Sequence, residues 1–291
     1  METLLCAGFP KSGNTLLGES LLYAGNIIES PFDIYVIKKN KEKPIANPLF
    51  DSEIYTIKTH DHFSRFANLD EIYFGEVKKV IVINRNPFDT LLSAINFFRV
   101  EYFNYGNNLQ PHHIRAITAL MPRFDFNFKN DFLDVFSLEK LRDEGMLDDA
   151  LDNFSKNGTV ILNFYSMSGP WAEFASSYDY SNLEVLKILF SDLLNISASS
   201  CSATEKYCPA ILKLSDFLDI SASKLASGFR QQAEATLKRH NDKKFGEAKF
   251  FNKMTDGYWK DYLSGEQCRK FVDKHYASMI RNGFEEIVSE F

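Results

Sequence analysis

Residues 8–15, close to the beginning of the chain, have the composition of an anion-binding loop. The segment reads Gly-Phe-Pro-Lys-Ser-Gly-Asn-Thr, with the two glycines and the final hydroxyl residue of loops that hold nucleotide phosphates. Backbone N–H groups at the start of a helix would bind the anion there. Asn14 replaces the usual lysine of such loops, and a lysine lies at position 11 instead. The segment therefore predicts a phosphate site without the cation that reaches the β and γ phosphates of a nucleoside triphosphate.

Two later segments also bring together residue types that suit chemistry on an anion. Lys58-Thr59-His60 ends a short apolar run, and an unperturbed histidine, with a pKa near 6.5, can exchange a proton at neutral pH. Arg85 follows another apolar run, and Ser93 lies two turns inside the helix predicted after it. The strand ends of an α/β sheet are where such sites assemble.

The elements that must position these residues alternate between strands and helices. This order predicts an α/β fold, with a central parallel sheet flanked by helices, in a single domain of residues 1–291. Residues 31–53 and 99–135 do not fit the alternation and are typical of insertions that carry specificity. The predicted strands are Thr3–Phe9, Ile54–Thr59, Val80–Asn84 and Leu183–Phe190, and the predicted helices are Thr15–Tyr23, Pro87–Phe98, 210–218, 224–239 and 265–282.

The loop resembles the 5'-phosphosulfate loop of the cytosolic-type sulfotransferases, whose typical form is P-K-S-G-T-T-W. That family has a P-loop-like α/β fold and transfers a sulfonate group from 3'-phosphoadenosine-5'-phosphosulfate (PAPS), which leaves adenosine 3',5'-bisphosphate (PAP). The resemblance implies that Lys11 reaches the bridging oxygen and the 5'-phosphate. It also implies that the residues that follow in the loop bind the donor: Ser12, Gly13, Asn14, Thr15 and Leu16. Leu16 stands where the family has a tryptophan that contacts the adenine.

Lys58-Thr59-His60 resembles the K-[ST]-H element of the same family. The resemblance implies that His60 is the general base and that Lys58 neutralises charge on the leaving oxygen. A solvated histidine at a strand end is the alternative interpretation, with His62 as an equally polar neighbour. The K-T-H spacing selects His60 rather than His62.

The segment that begins at Arg85 resembles the family signature R-N-P-x-D-x-x-x-S, in which the arginine and the serine bind the donor's 3'-phosphate. The resemblance gives this role to Arg85 and Ser93, and a guanidinium suits a terminal phosphate. Asp89 is expected to cap the helix or to orient Arg85. A simple helix start would explain Asn86, Pro87 and Asp89, but not the arginine and the serine.

Two weaker matches complete the resemblance. Residues 252–260 resemble the family's R-K-G-x-x-G-D-W-K segment, which implies that Lys253 is a further ligand of the 3'-phosphate and aligns Trp259 and Lys260. Phe190 follows the last predicted strand, where it is either an adenine contact or a core residue.

Composition limits the partners and the location. A net charge of −6 argues against binding to nucleic acid or to an anionic membrane. No stretch reaches the roughly 18 to 20 apolar residues of a bilayer span, and we expect a cytoplasmic protein. The cysteines lack metal-ligand spacing, so we expect no metal.

The acceptor is expected to be a small molecule with a hydroxyl group or a nitrogen. Bacterial secondary-metabolite sulfotransferases, including those acting on saxitoxin-type alkaloids, are similar in length and in the G-N-T form of the loop. An aromatic stripe on a helix, starting near the end of the second predicted one, is either a pocket for this acceptor or core: Phe97, Phe98, Tyr102, Phe103 and Tyr105. The oligomeric state stays open. The other functions left open are a magnesium-dependent P-loop kinase or NTPase and an inactive nucleotide-binding scaffold.

Overall fold

A computed structural model describes residues 2–24, 27–29, 54–60, 62–63, 77–127, 132–158, 168–200, 208–242 and 256–291. The chain divides into two compact units. The first unit comprises residues 1–84 and 174–238, and the second comprises residues 85–173 and 239–291. The single domain of residues 1–291 stays a prediction.

The first unit contains a sheet of five parallel strands in the order β2-β3-β1-β4-β5. β1 lies at its centre, where Cys6 is in register with Lys58 on one side and with Ile81 on the other. Because every pairing is parallel, the carboxyl ends of the strands share one edge. The predicted α/β class with a central parallel sheet is confirmed. The strands are β1 (Glu2–Gly8), β2 (Ile27–Glu29), β3 (Ile54–Thr59), β4 (Val77–Asn84) and β5 (Glu184–Leu189).

Helices account for most of the rest of the described chain. They are α1 (Asn14–Ala24), α2 (Pro87–Asn104), α3 (Pro111–Leu120), α4 (Phe132–Val135), α5 (Leu138–Asp143), α6 (Met146–Asn157), α7 (Trp171–Ser177), α8 (Phe190–Ser200), α9 (Pro209–Leu218), α10 (Ala222–Asp242), α11 (Gly265–Arg281) and α12 (Glu285–Val288). Two short 3₁₀ turns cover Tyr178–Tyr180 and Tyr258–Asp261. No helix within the described ranges is long and apolar enough to cross a membrane.

The core of the first unit explains why these segments fold as they do. Apolar residues of β1, β4 and β5 pack against one face each of α1, α8, α9 and α10. Helices α1 and α10 approach very closely, because a Cβ on Gly228 would lie 2.3 Å from the carbonyl oxygen of Ser20. Only glycine allows the two backbones to come this near.

Residues 31–53 lie outside the described residues, whereas the described part of residues 99–135 is largely helical and contains no strand, so it departs from the alternation as predicted. α2 continues to Asn104, and α3 and α4 follow. Aromatic side chains of this segment pack on one another: the rings of Phe132 and Phe136 stack at 4.7 Å, and Phe98 packs edge-on against Phe136. The helical spacing of Phe98, which is buried, and Tyr102 extends the pattern past the predicted end of α2.

Candidate active site

The predicted anion-binding loop connects β1 to α1 in the first unit. Its backbone enters the left-handed region twice, at Lys11 with φ of 71° and at Gly13 with φ of 110°. A left-handed conformation is uncommon for a residue with a side chain, and strained residues of this kind cluster at functional sites. Inside the turn, the Ser12 N–H donates to the Phe9 carbonyl at 3.0 Å. The loop is therefore a tight and strained turn at the N-terminus of a helix.

Phe190 packs directly on this loop. A Cβ on Gly13 would lie 2.6 Å from the Phe190 ring, so the glycine leaves room for the aromatic side chain. Phe190 begins α8 rather than ending β5, which stops at Leu189, and its side chain is only 8% exposed in the core of the first unit. The structure thus shows that Phe190 is a core residue. A contact between Phe190 and the adenine stays a prediction.

Leu16 and Thr15 lie in the first turn of α1. Leu16 is 3% exposed and belongs to the core, whereas Thr15 is half-buried. A donor contact of either side chain stays a prediction.

Lys58 and His60 reach the same neighbourhood from the end of β3. The Lys58 side chain runs along α1, where its Cδ would lie 3.0 Å from a Cβ on Gly18. The Nδ1 atom of His60 lies 2.6 Å from the carbonyl oxygen of Gly8, the last residue of β1. A carbonyl oxygen can only accept, so Nδ1 must carry the proton and Nε2 keeps its lone pair. His60 is therefore held in the tautomer whose unprotonated nitrogen, Nε2, can take up a proton.

Burial lowers the pKa of His60 to about 4. The Gly8 carbonyl acts in the opposite direction, while the charges of Lys11 and Lys58 lower the pKa further. The ring is therefore neutral at neutral pH. The same electrostatics indicate that both predicted lysines lie near the predicted base.

Asn14, the first residue of α1, links the loop to β3. Its Nδ2 donates to the Thr59 carbonyl at 2.8 Å and lies 3.4 Å from His60 Nδ1. The Asn14 Oδ1 and the Ser12 Oγ are buried without a hydrogen-bond partner in the described structure. Buried polar atoms without partners are uncommon and often mark a binding site.

The predicted 3'-phosphate residues Arg85 and Ser93 lie in the second unit. Arg85 follows β4 directly and is only 7% exposed, and its carbonyl accepts from Trp171 Nε1 at 3.3 Å. Ser93 is half-buried on α2. The predicted helix start is also present, since the Asn86 side chain accepts from the Asp89 N–H at 2.8 Å. Binding of a phosphate by Arg85 and Ser93 stays a prediction.

Asp89 has a structural role that the sequence interpretation missed. Its carboxylate accepts from the N–H groups of Gly257 at 2.6 Å and Trp259 at 3.0 Å, and from Asn86 Nδ2 at 2.8 Å. Asp89 thereby ties the start of α2 to residues 256–259. The sequence signal that could have indicated this contact is the presence of both an N-P-x-D motif, which contains Asp89, and a distant G-x-W segment, Gly257–Trp259.

Asp256 is a second acidic residue that the sequence interpretation did not select. Asn86 Nδ2 donates to its carboxylate at 2.6 Å. Burial, followed by the neighbouring carboxyl of Asp89, raises the pKa of Asp256 to about 7, against the effect of Arg85 and Asn86. Asp256 and Asp89 therefore form an acidic pair beside a buried arginine.

The remaining predicted residues are less informative. Lys253 lies outside the described residues. The Trp259 ring packs on Phe88 at 4.7 Å, and Lys260 pairs with Glu290 at 2.7 Å. In the described ranges, no three metal-ligating side chains form a group that could hold an ion. The described cysteines, Cys6, Cys208 and Cys268, are not joined in disulfide bonds.

Solved structures provide the comparison with known proteins. No protein-family model matches the chain, and no curated protein matches its sequence. The mouse sulfotransferase SULT7A1, solved in complex with PAP, is 20% identical with a TM-score of 0.57, and the match covers 100% of this chain and 89% of that one. A retinol dehydratase, solved with androsterone and the inactive cofactor PAP, is 13% identical with a TM-score of 0.51, and the match covers 95% of this chain and 80% of that one. The chain thus has the fold of sulfotransferases.

Proposed function

We propose that this protein is a sulfotransferase that moves a sulfonate group from PAPS to a small molecule. One observation carries the proposal. The Nδ1 of His60 donates to the Gly8 carbonyl, which lies where the predicted anion-binding loop begins, and the charges of Lys11 and Lys58 act on this ring. This arrangement combines a base with cations for a leaving group. The similar solved structures were determined with PAP, the product that PAPS would leave.

The donor's 5'-phosphosulfate would bind at the loop. Backbone N–H groups of the loop and of the first turn of α1 are suited to bind the phosphate oxygens. The unpartnered Ser12 Oγ supplies one more polar group there. Lys11 and Lys58 would offset the negative charge that grows on the bridging oxygen as the sulfonate departs. Arg85, Ser93 and Lys253 would bind the 3'-phosphate.

His60 would act as the general base. Its Nε2 would remove the proton from the acceptor's hydroxyl or nitrogen while that atom forms a bond to sulfur. The bond between sulfur and the bridging oxygen breaks, its electron pair stays on PAP, and the proton on His60 later passes to solvent. Such a base contributes about 10²- to 10⁴-fold in rate.

The acceptor's identity is the finer part of the proposal. A hydroxyl-bearing molecule or a nitrogen-bearing alkaloid of the saxitoxin type would both present a proton that His60 can remove. We place this activity in the cytoplasm and expect no metal to be needed. The kinase or NTPase alternative lacks support at the loop, because Asn14, where its lysine should be, uses its side chain to bind Thr59.

The proposal is tested by transfer of labelled sulfonate from PAPS to a panel of phenols, alcohols, amines and guanidinium alkaloids, in the presence of a chelator. We expect a sulfonated product and its loss by at least about 10²-fold in His60→Gln, with PAP still bound. His62→Gln is the matched control and should keep full activity. Undiminished transfer by His60→Gln would refute the role of the base, and turnover of ATP that requires magnesium would favour the kinase alternative.

A further inference from the structure

We infer that Gly18 is a positioning residue for Lys58, because it leaves a groove on α1 that sets the path of the lysine side chain towards the sulfonate. This inference rests on the proposed function, which gives Lys58 the task of offsetting charge on the bridging oxygen. It adds a residue that belongs neither to the loop motif nor to the K-T-H element.

Glycine is an unexpected residue at position 18. It is buried in the interior of α1, where glycine destabilises a helix relative to alanine. Its φ does not lie in the left-handed region, so the backbone conformation would accept any residue. The physical reason for a glycine must therefore lie in the atoms that pack against it.

Lys58 occupies the space that a side chain at position 18 would take. A Cβ on Gly18 would lie 3.0 Å from Cδ, 3.3 Å from Cε and 3.5 Å from Cγ of Lys58, and these are its three nearest atoms. Carbon atoms in favourable contact are about 3.5 to 4.0 Å apart. Three consecutive methylene groups of the lysine therefore cross α1 directly over the glycine.

The side chain that follows this path acts on the proposed site. Gly18 lies one helical turn after Asn14, whose amide lies 3.4 Å from His60 Nδ1. Lys58 is half-buried at the end of β3. Burial is the main cause of the lowered pKa of His60, and the charge of Lys58 lowers it further. The groove thus directs a cation whose field reaches the proposed base.

The groove matters because a lysine side chain is long and flexible. Holding its methylene groups against α1 restrains it before a ligand binds, so less side-chain entropy is lost when its charge is needed. A methyl group at position 18 would push these methylene groups away by about 0.5 to 1 Å to restore ordinary contact. Misplacement of a catalytic group by about 1 Å can cost on the order of 10²-fold in rate.

Gly18→Ala separates positioning from folding. The methyl group would meet only the flexible Lys58 side chain, and alanine favours the helix, so we expect Tm to fall by less than about 4 °C. In transfer assays, kcat should nevertheless fall about tenfold. Gly265→Ala is the matched control and should keep full activity, because nothing lies within 4 Å of its added Cβ.

A double-mutant cycle with Lys58→Met shows whether the effect passes through the lysine. The double variant should be as slow as Lys58→Met alone, because the displaced charge is already missing. A further tenfold loss in the double variant would overturn the inference. An unchanged kcat in Gly18→Ala, or a fall in its Tm beyond about 4 °C, would also overturn it.

The pKa of His60 extends the cycle to protein without any ligand. NMR titration of histidine-labelled protein from about pH 3 to 8 measures it. Lys58→Met should raise this pKa, because a nearby positive charge is lost. Gly18→Ala should shift it in the unaltered protein but not in Lys58→Met, and equal effects in both would contradict the inference. Because the titration needs no turnover, an absence of transfer by the unaltered protein would count against the proposed function alone.

Discussion

His60 shows how one side chain can be prepared for proton transfer by its surroundings. The Gly8 carbonyl accepts a hydrogen bond from one ring nitrogen, Nδ1. Burial lowers the pKa of the ring to about 4, so that the other nitrogen, Nε2, is unprotonated at neutral pH. A base with a low pKa is always in the correct form at neutral pH, but it binds the acceptor's proton weakly. A bound donor would change this balance, because its negative charges favour the imidazolium form.

This reasoning predicts two different pH profiles for sulfonate transfer. Activity should fall as the pH drops through the pKa of His60, since the protonated ring cannot act as a base. The fall in kcat/KM for PAPS reports the free protein and should lie close to pH 4. The fall in kcat reports the bound complex and should lie at a higher pH. Rates measured from about pH 3 to 8 test this, and a fall in kcat at a lower pH than that in kcat/KM would contradict it.

Asp256 predicts a pH-dependent contribution to stability with a defined sign. Its pKa rises from 3.8 to about 7 in the fold, so the folded state holds a proton that the unfolded state has released. The stabilisation is complete below about pH 4 and is lost as the pH rises towards 7 and beyond. The groups that face this carboxyl are Asp89, Arg85, Asn86 and Tyr258.

Asp256→Asn tests that sign, because an amide of the same shape does not titrate. The variant should gain stability relative to the unaltered protein between pH 5 and 7, by well below the limit of about 1.4 kcal/mol per pH unit, because Asp256 is partly exposed and solvent screens its carboxyl group. The lowered pKa values of His60 and His113 act in the opposite direction in both proteins and cancel in the difference. Urea unfolding at both pH values measures it, and a difference that does not change with pH would show that Asp256 is ionised throughout.

Strands and their ends are the part of the fold that the sequence predicts best. β1, β3 and β4 are short apolar runs that stop at Pro, His or Asn, and α2 begins at a capping asparagine followed by proline. The residues that follow these strands carry the side chains that could take part in catalysis. The site formed by the loop and His60 could therefore be predicted from the sequence. Their closeness follows from the parallel register of β1 with β3.

Other elements could not be predicted because their signals depend on contacts distant in sequence. The sequence could not decide between a pocket and core for the aromatic stripe, because the partners are distant: Phe136 packs on Phe98, and Phe132 packs on Tyr102. Phe190 carried no sign that its ring would cover Gly13. The roles of Asp89 and Asp256 likewise depend on a meeting of segments almost 170 residues apart.

The packing of α1 on α10 predicts an unusual effect of a small substitution. Alanine in place of glycine normally stabilises a helix by about 1 kcal/mol. Gly228→Ala should instead destabilise the protein by about 1 to 3 kcal/mol, because the new methyl group would lie 2.3 Å from the Ser20 carbonyl oxygen and 2.6 Å from the Ala24 nitrogen. Gly265→Ala is the matched control, because nothing lies within 4 Å of its added Cβ. Thermal unfolding compares the two, and equal effects would contradict the close approach of the helices.

Across the whole molecule, the negative net charge and the proposed anion sites are compatible because the cations are local. The chain carries a net charge of −6, yet Lys11 and Lys58 act together on His60, and Arg85 is buried beside Asp256. A broad positive surface is not needed when backbone N–H groups and a few cations bind the ligand. Binding of the donor should therefore depend on the particular arrangement of its phosphates rather than on its total charge.

Calorimetric titration of the purified protein with PAP, in parallel with ADP and with ATP plus magnesium, tests whether donor binding depends on the arrangement of the phosphates. PAP and ADP both carry two phosphates, but only PAP has one on the 3' oxygen. We predict metal-independent binding of PAP that is at least about tenfold tighter than binding of ADP, and a loss of this preference in Arg85→Ala. Equal affinity for PAP and ADP, or a preference for ATP with magnesium, would contradict the assignment of a PAPS-dependent sulfotransferase.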